Sequence, residues 1–526
     1  MKRQGGPTVM TTGRWAGLAA ALALAVTPTL TVAQTIVATG QLRLDQPGAV
    51  IAPEVYGQFM EQLGTGIDGG VWVGEASDIP NTHGFRDDVV AALKALKVPV
   101  VRWPGGCYAD IYHWRDGVGP RERRPVTLNR WWGNKEEDNA FGTHEFFAFA
   151  ELIGARTYLS VNVGSGTPAE AADWIEYITA PGHSRLAELR RANGRDAPWK
   201  IDYIGVGNEP WGCGGRMRPA YYADLLNQYV GFIAPDPKAV IVAAGANADN
   251  YDWTRTVASG SAGNFDAISL HYYTLPTGDW TTKGAALGFD RDAWARTFAQ
   301  TYRIETMIAG HDAVLDETDP AGKTILAVDE WGTWYDPTPG TNAGYLQQQN
   351  SLRDALLAGV NLNIFHRHAD RVRLANVAQM VNVLQAMILT DGPRMVLTPT
   401  YHAFALYRPF QGATALPIAI QAPGYVEGQT RLPGVDATAA RGVDGKVHVA
   451  LVNLDPGHAV SVRITLAGGD AASVSGQILT ADRMDAHNSF EAPHALEPAV
   501  FTAARVDAGV LGVDLPAKSL VVLTLE

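Results

Sequence analysis

Between residues 51 and 390 the chain alternates short apolar runs with amphipathic segments, and this alternation constrains the fold more than any other feature. Strand patterns separated by helical ones call for parallel strands in one sheet with helices packed over it. Eight strands are expected, at residues 50–59, 98–102, 156–163, 201–206, 239–244, 267–273, 324–330 and 361–366. Apolar residues at intervals of three and four predict helices at 85–96, 143–153, 168–179, 219–233, 290–309 and 344–358. Eight strands and at least six helices in about 340 residues predict an α/β fold, a (β/α)8 TIM barrel with long loops. An open doubly wound sheet is the rival, and GTGIDG at 64–69 matches its GxGxxG pattern. The GVWVG that follows opens no helix, so the match is read as chance.

Beyond about residue 401 the helical period fades. Short alternating strands are expected at 436–441, 446–454, 459–466, 476–479 and 519–525, separated by turn signals such as Asp444-Gly445. That pattern predicts a C-terminal β-sandwich. A strand-like stretch near 34–44 precedes the barrel and is expected to pair with the sandwich. The expected organisation is a leader at 1–34, an N-terminal strand segment at 35–50, the barrel at 51–395 and the sandwich at 396–526.

The leader is read from Lys2, Arg3 and Arg14, the apolar run AGLAAALALAV at 16–26 and the small residues Thr31-Val32-Ala33. Together they predict an export signal and a periplasmic or secreted protein with no membrane association after cleavage. The net charge of −12, or −15 without those three cations, argues against nucleic acid and anionic membrane surfaces as partners. Only two cysteines occur, Cys107 and Cys213, both in Gly-rich loops after strands. They are read either as one disulfide or as two buried thiols that shape the site.

Two of the strands end in chemistry. Residues 201–215, IDYIGVGNEPWGCGG, carry an apolar strand into Asn208 and Glu209; residues 324–334, TILAVDEWGTW, end at Glu330. Carboxylates at the C-terminal tips of barrel strands lie where such folds keep their reactive groups. Strands four and seven face each other across the mouth. Glu209 and Glu330 are therefore placed to flank a glycosidic bond, one as proton donor and the other as nucleophile or general base. A separation of about 5–5.5 Å implies retention of configuration, and one above roughly 6.5 Å implies inversion. No GxSxG elbow and no complete phosphate loop is present, and His366-Arg367-His368 lacks the partners of a metal site. The chemistry asks for no cofactor and no metal.

Several motifs resemble glycoside hydrolase family 51, the α-L-arabinofuranosidases. They are GQFMEQLG at 57–64, RWPGGCY at 102–108, YHWRDGVGP at 112–120, FGTHEF at 141–146, NEPWGCGG, SLHYYT at 269–274, DEW at 329–331 and NVAQMVNV at 376–383. The resemblance runs from about residue 35 to the end. It implies a barrel with a C-terminal sandwich and a retaining, exo-acting enzyme that removes arabinofuranosyl residues from an oligo- or polysaccharide such as arabinan or arabinoxylan. It makes Glu209 the acid/base and Glu330 the nucleophile, with Glu61 and Cys107 at positions that match the sugar pocket. Asn208 is placed to donate to the sugar 2-hydroxyl and Gln379 to reach sugar hydroxyls, while His271 and Tyr273 are placed to hydrogen-bond the carboxylates, the Tyr272-Tyr273 doublet leaving the register of the tyrosine open. Trp334 and one of Trp131 and Trp132 are candidate platforms for sugar faces. The family also implies a homo-oligomer, for which the sequence itself shows no interface. Two alternatives stand beside this reading: an endo-β-1,4-glucanase or β-xylosidase on the same barrel, and a carbohydrate-binding protein without catalysis.

Overall fold

The computed structural model describes residues 36–233 and 238–526. The expected leader at 1–34 lies outside them. Eight parallel strands close a barrel: Gly57–Phe59, Val100–Trp103, Arg156–Val161, Tyr203–Val206, Val240–Asn247, Ala267–Thr274, Ile325–Thr333 and Val372–Ala378. Each pairs with the next in sequence, and the eighth returns to the first through Asn376 opposite Gly57. The strands are buried almost throughout, as parallel strands covered on both faces must be. A helix follows every strand. Those beginning the series are Asp87–Leu96, Thr143–Ile153 and Pro168–Thr179, and the last is Pro399–Tyr407.

Three departures from the sequence expectation are informative. Residues 361–366 are not a strand; they belong to the helix Leu352–Arg367, and Val372–Ala378 is the eighth strand. Every residue of that helix from Leu352 to His366 is buried, so it shows no polar stripe. Without a polar face its apolar run reads as a buried strand. The helix Tyr251–Gly260, unforeseen between strands five and six, is built from weak helix formers and started by the Asn250 side chain, which accepts from the Trp253 N–H at 3.2 Å. The first strand is also short, because a single turn at Pro53–Tyr56 occupies most of the stretch expected to extend.

Two further sheets pack face to face. Ile36–Arg43 lies inside a five-stranded sheet, antiparallel to Ile418–Gln421 and parallel to Val460–Ala467. The second sheet has six strands, including Val435–Arg441, Val447–Asn453 and Ser519–Leu525. Ala38, Leu42, Val462 and Ile464 of one meet Val449, Leu451, Val521 and Leu523 of the other in a common core. Among the described residues no helix is long and apolar enough to cross a membrane.

The barrel and the sandwich strands are joined through fully buried groups. Trp294, on the helix Arg291–Thr318, is 0% exposed and donates its indole N–H to the Leu454 carbonyl at 2.9 Å. Trp294→Ala removes that bond and leaves a cavity. It should cost about 3–5 kcal/mol of stability, read as a lower denaturant midpoint with an unchanged dependence on denaturant.

Candidate active site

The C-terminal ends of strands two, four, six and seven deliver Arg102, Glu209, His271 and Glu330 to one point. His271 lies opposite Glu330 in the pairing of strands six and seven. Its Nδ1 is 2.9 Å from Glu209 Oε1 and 3.4 Å from Glu330 Oε2, and its Nε2 is 3.1 Å from Asp329 Oδ1. One imidazole therefore touches three carboxylates. A carboxylate oxygen of Glu209 and one of Glu330 lie within 4.8 Å of each other.

Each carboxylate is further held. Arg102 donates from Nη1 to Glu330 Oε2 at 3.0 Å and to the Asp329 carbonyl at 3.2 Å. The Tyr273 hydroxyl donates to Glu330 Oε1 at 2.7 Å. This settles the choice within the Tyr272-Tyr273 doublet, since the Tyr272 hydroxyl turns away to the Gln300 carbonyl. Tyr158 donates to Asp329 Oδ2 at 2.6 Å. Arg102 Nη2 donates to Asn208 Oδ1 at 2.6 Å and the Asn208 amide turns one N–H to Cys213 Sγ at 3.7 Å, which leaves the other N–H for another partner.

The electrostatics follow from burial and neighbours. Burial disfavours charge on His271, but Glu330, Asp329 and Glu209 outweigh it and push the imidazole up to about 10, so the ring is cationic at neutral pH. Burial would raise Asp329 as well, yet Arg102, His271 and Tyr158 hold it below the usual carboxylate range. Glu209 is raised, first by burial and then by the nearby Glu330 charge, against the opposing pull of His271. With Glu209 protonated, two cations face two anions and the cluster is neutral.

The pocket wall lies on strands one, two and eight. Glu61, 1% exposed, accepts from the Tyr108 N–H at 2.9 Å, the Trp132 indole at 2.8 Å and the Gln379 amide at 3.0 Å. A carboxylate offers about four acceptor positions, so roughly one remains for a ligand. Gly105 and Gly106 are required here: a Cβ on either would stand 2.6 or 2.7 Å from Glu61 atoms. Cys107 and Cys213 are joined in a disulfide, and Cys213 Sγ lies 3.7 Å from Glu209 Oε2. Trp334 packs edge-on against Tyr273, with ring centres 4.9 Å apart, and Trp280 against Trp334 at 5.2 Å. Trp132 turns its indole N–H to Glu61, while Trp131 stands 43% exposed.

All nine residues singled out from the sequence thus lie in or beside one site, and no metal spacing at His366 is needed to explain that residue. His366 is buried between the Tyr56 hydroxyl at 2.7 Å and Thr438 Oγ1 at 3.2 Å. Sequence reasoning missed Arg102, Tyr158, Asp329 and Asp110 as functional groups. Asp110 is 1% exposed; Oδ1 accepts from the Val163 and Gly164 N–H groups at 2.8 and 3.0 Å, and Oδ2 from the Asn208 N–H at 2.9 Å. Burial pushes it up to about 7 despite those bonds. A signal did exist for two of them: Arg102 and Asp329 are charged residues inside otherwise apolar strands, where an unpaired charge is not tolerated.

Two family models match, the α-L-arabinofuranosidase 1 domain over residues 92–292 and the α-L-arabinofuranosidase C-terminal domain over 329–519. An enzyme of Bacteroides ovatus named an intracellular exo-α-L-arabinofuranosidase is 47% identical over 93% of this chain and 96% of its own. The chain belongs to the family 51 α-L-arabinofuranosidases. It is a glycoside hydrolase. The crystal structure of the family 51 arabinofuranosidase from Xanthomonas axonopodis pv. citri superposes with a TM-score of 0.92 at 53% identity, covering 93% of this chain and all of the other. The Thermotoga maritima α-L-arabinofuranosidase, solved with arabinose, gives 0.82 at 30% identity, over 93% and 99% of the two chains. A bifunctional glucanase-xylanase from a metagenome library, at 15% identity and a TM-score of 0.59, shares the fold alone. The β-glucan alternative gains nothing from it.

The expectation of an exported location is corrected here. The Bacteroides relative, matched across nearly the whole chain, is named intracellular, against a periplasmic or secreted assignment. A basic, apolar start is a pattern of composition, which a chain can carry for reasons other than export.

Glu61 yields a prediction with a definite sign. Burial, only partly offset by the Tyr108 N–H, moves its carboxyl from 4.5 up to about 7. A raised carboxyl stabilises the fold fully below pH 4.5, and that contribution is lost as pH rises through about 7. Glu61→Gln removes the titration, so the Tm of the ligand-free variant relative to wild type should climb between pH 5 and pH 8. A gap that stays constant over that range contradicts the burial of an uncompensated charge at this position.

Proposed function

We propose that the protein is an exo-acting α-L-arabinofuranosidase that works with retention by double displacement, on terminal arabinofuranosyl residues of arabinan- or arabinoxylan-type material. The observation that carries this reading is the approach of Glu209 and Glu330 within 4.8 Å of each other, both at the Nδ1 edge of His271. That short gap leaves no room for a water between them and the sugar, as inversion requires, and suits direct attack. The exo assignment draws support from the Bacteroides relative's name and from the Glu61 carboxylate, buried and fixed by Trp132 and Gln379, as a hydroxyl acceptor for one terminal sugar.

In the first step a Glu330 oxygen attacks the anomeric carbon while the bond to the leaving oxygen breaks. Glu209, protonated because burial and the Glu330 charge raise it, passes its proton to that oxygen. The nucleophile is aimed by Arg102 and Tyr273, each bonded to a different oxygen. Once Glu330 is an ester its charge is gone, and with it the repulsion that kept Glu209 protonated. Glu209 then takes a proton from water, which attacks the same carbon and frees Glu330. Asn208 donates its amide to the sugar 2-hydroxyl, because Arg102 occupies its oxygen. Glu61 and Gln379 hold the remaining hydroxyls.

Three measurements test the reading. Aryl α-L-arabinofuranoside should be cleaved in preference to aryl β-xyloside and carboxymethylcellulose, with the α anomer of arabinose appearing first by NMR; first release of the β anomer would overturn retention. Glu330→Ala should lose several orders of magnitude in kcat. Glu209→Ala should slow substrates with poor leaving groups far more than activated aryl ones, and azide should restore its rate with retained configuration. Equal slowing of both substrate types removes Glu209 from the acid role.

A further inference from the structure

Glu209 has a backbone φ of +41°, the left-handed region that side chains other than glycine occupy only when their surroundings hold them there. The preceding Gly207, at +83°, is free to turn; Glu209 is not. What restrains the segment is found on a different loop. The single turn Cys107–Asp110, after strand two, meets the acid/base loop on both sides of Glu209. Before it, Asp110 Oδ2 accepts the Asn208 N–H at 2.9 Å. After it, Cys107 is covalently joined to Cys213.

The turn is itself anchored to the loop after strand three. Asp110 Oδ1 takes the N–H groups of Val163 and Gly164, and its main-chain oxygen takes both the N–H of Ser165 at 3.1 Å and its hydroxyl at 2.9 Å. Asp110 is packed so closely that a Cβ on Gly164 would fall 2.8 Å from its Cβ, and one on Gly214 would fall 2.5 Å from Oδ2. Gly164 of GSG and Gly214 of WGCGG, which no phosphate or nucleotide chemistry explains, thereby acquire a reason. They let one carboxylate reach the main chain of two neighbouring loops.

We propose that the Cys107–Asp110 turn is a clamp for the acid/base, in which Asp110 is a positioning residue that acts through the Asn208 N–H and the link between Cys107 and Cys213 is the second jaw. The inference rests on Glu209 being the proton donor. Asp110 touches no sugar and no reacting atom. Its three acceptor contacts fix where the Glu209 carboxyl stands relative to the leaving oxygen, while Glu330 is aimed from other strands, by Tyr273 and by Arg102, which also bonds the Asn208 side chain. Loosening the clamp therefore impairs proton delivery and leaves nucleophilic attack in place.

Asp110→Asn tests this. The variant keeps the volume and one oxygen for Val163 and Gly164, but sets an NH2 group against the Asn208 N–H, donor facing donor. kcat/KM is measured for an alkyl α-L-arabinofuranoside, whose departure needs a proton, and for a dinitrophenyl one, whose departure does not. The alkyl substrate should fall by about 30-fold or more and the dinitrophenyl substrate by less than about 3-fold, since general acid catalysis contributes about 10²–10⁴. Equal losses on both, or no loss on the alkyl substrate, overturn the proposal. If Asp110→Asn does not fold, Cys213→Ala opens the other jaw and must show the same selective loss; an unchanged ratio there counts against the clamp. Glu209→Ala, run alongside, separates the two ideas. If that variant shows no leaving-group dependence, the assignment of the acid has failed; if it does and the Asp110 and Cys213 variants do not, only the clamp has.

Discussion

One cationic imidazole among three carboxylates organises this site. Glu209, Asp329 and Glu330 could not all be brought within reach of one another as anions in a buried pocket, because like charges in low dielectric repel strongly. His271 and Arg102 supply two positive charges from strands six and two, and protonation of Glu209 removes one negative. The cluster is then neutral, and in the proposed mechanism the proton on Glu209 is the one passed to the leaving oxygen. On that proposal, charge balance and the division of labour between the two glutamates have one origin.

The barrel makes this arrangement affordable. Arg102, His271 and the Asp329-Glu330 pair stand on three different parallel strands, so their geometry is set by the closed ladder and not by a flexible loop. Asp329 and Glu330 are consecutive where the pairing register of their strand shifts against both neighbours, and both reach Arg102 and His271. Asp329 also takes Tyr158 and the far nitrogen of His271, and Glu330 takes Tyr273. Glu209 is the exception, since it lies past its strand at Asn208–Gly214 level and depends on neighbouring loops for its position.

What could be read from the sequence follows from these physical differences. The two glutamates were legible because an apolar strand that stops at a carboxylate is rare and has few explanations. Glu61 and Gln379 were legible only through the family's motifs, since nothing local separates a pocket carboxylate from a surface one. Arg102 and Asp329 were hidden by their surroundings: VRW and VDE look like apolar strands with a blemish until pairing across the barrel is known. The eighth strand was misplaced because a helix buried on every side loses its period. The pairing of Cys107 with Cys213 stayed open because two loops after strands share one rim of a barrel without having to touch, until those of strands two and four are seen to meet.

The central claim is that Glu330 becomes covalently bound to the sugar that Glu209 activates. Glu209→Ala can form the glycosyl-enzyme from an activated aryl α-L-arabinofuranoside but lacks the base to hydrolyse it, so the intermediate should accumulate. Intact-protein mass spectrometry after such a reaction, followed by peptide mapping, should show one arabinosyl group on Glu330. A group on any other residue, or steady release of product with no adduct, contradicts the account.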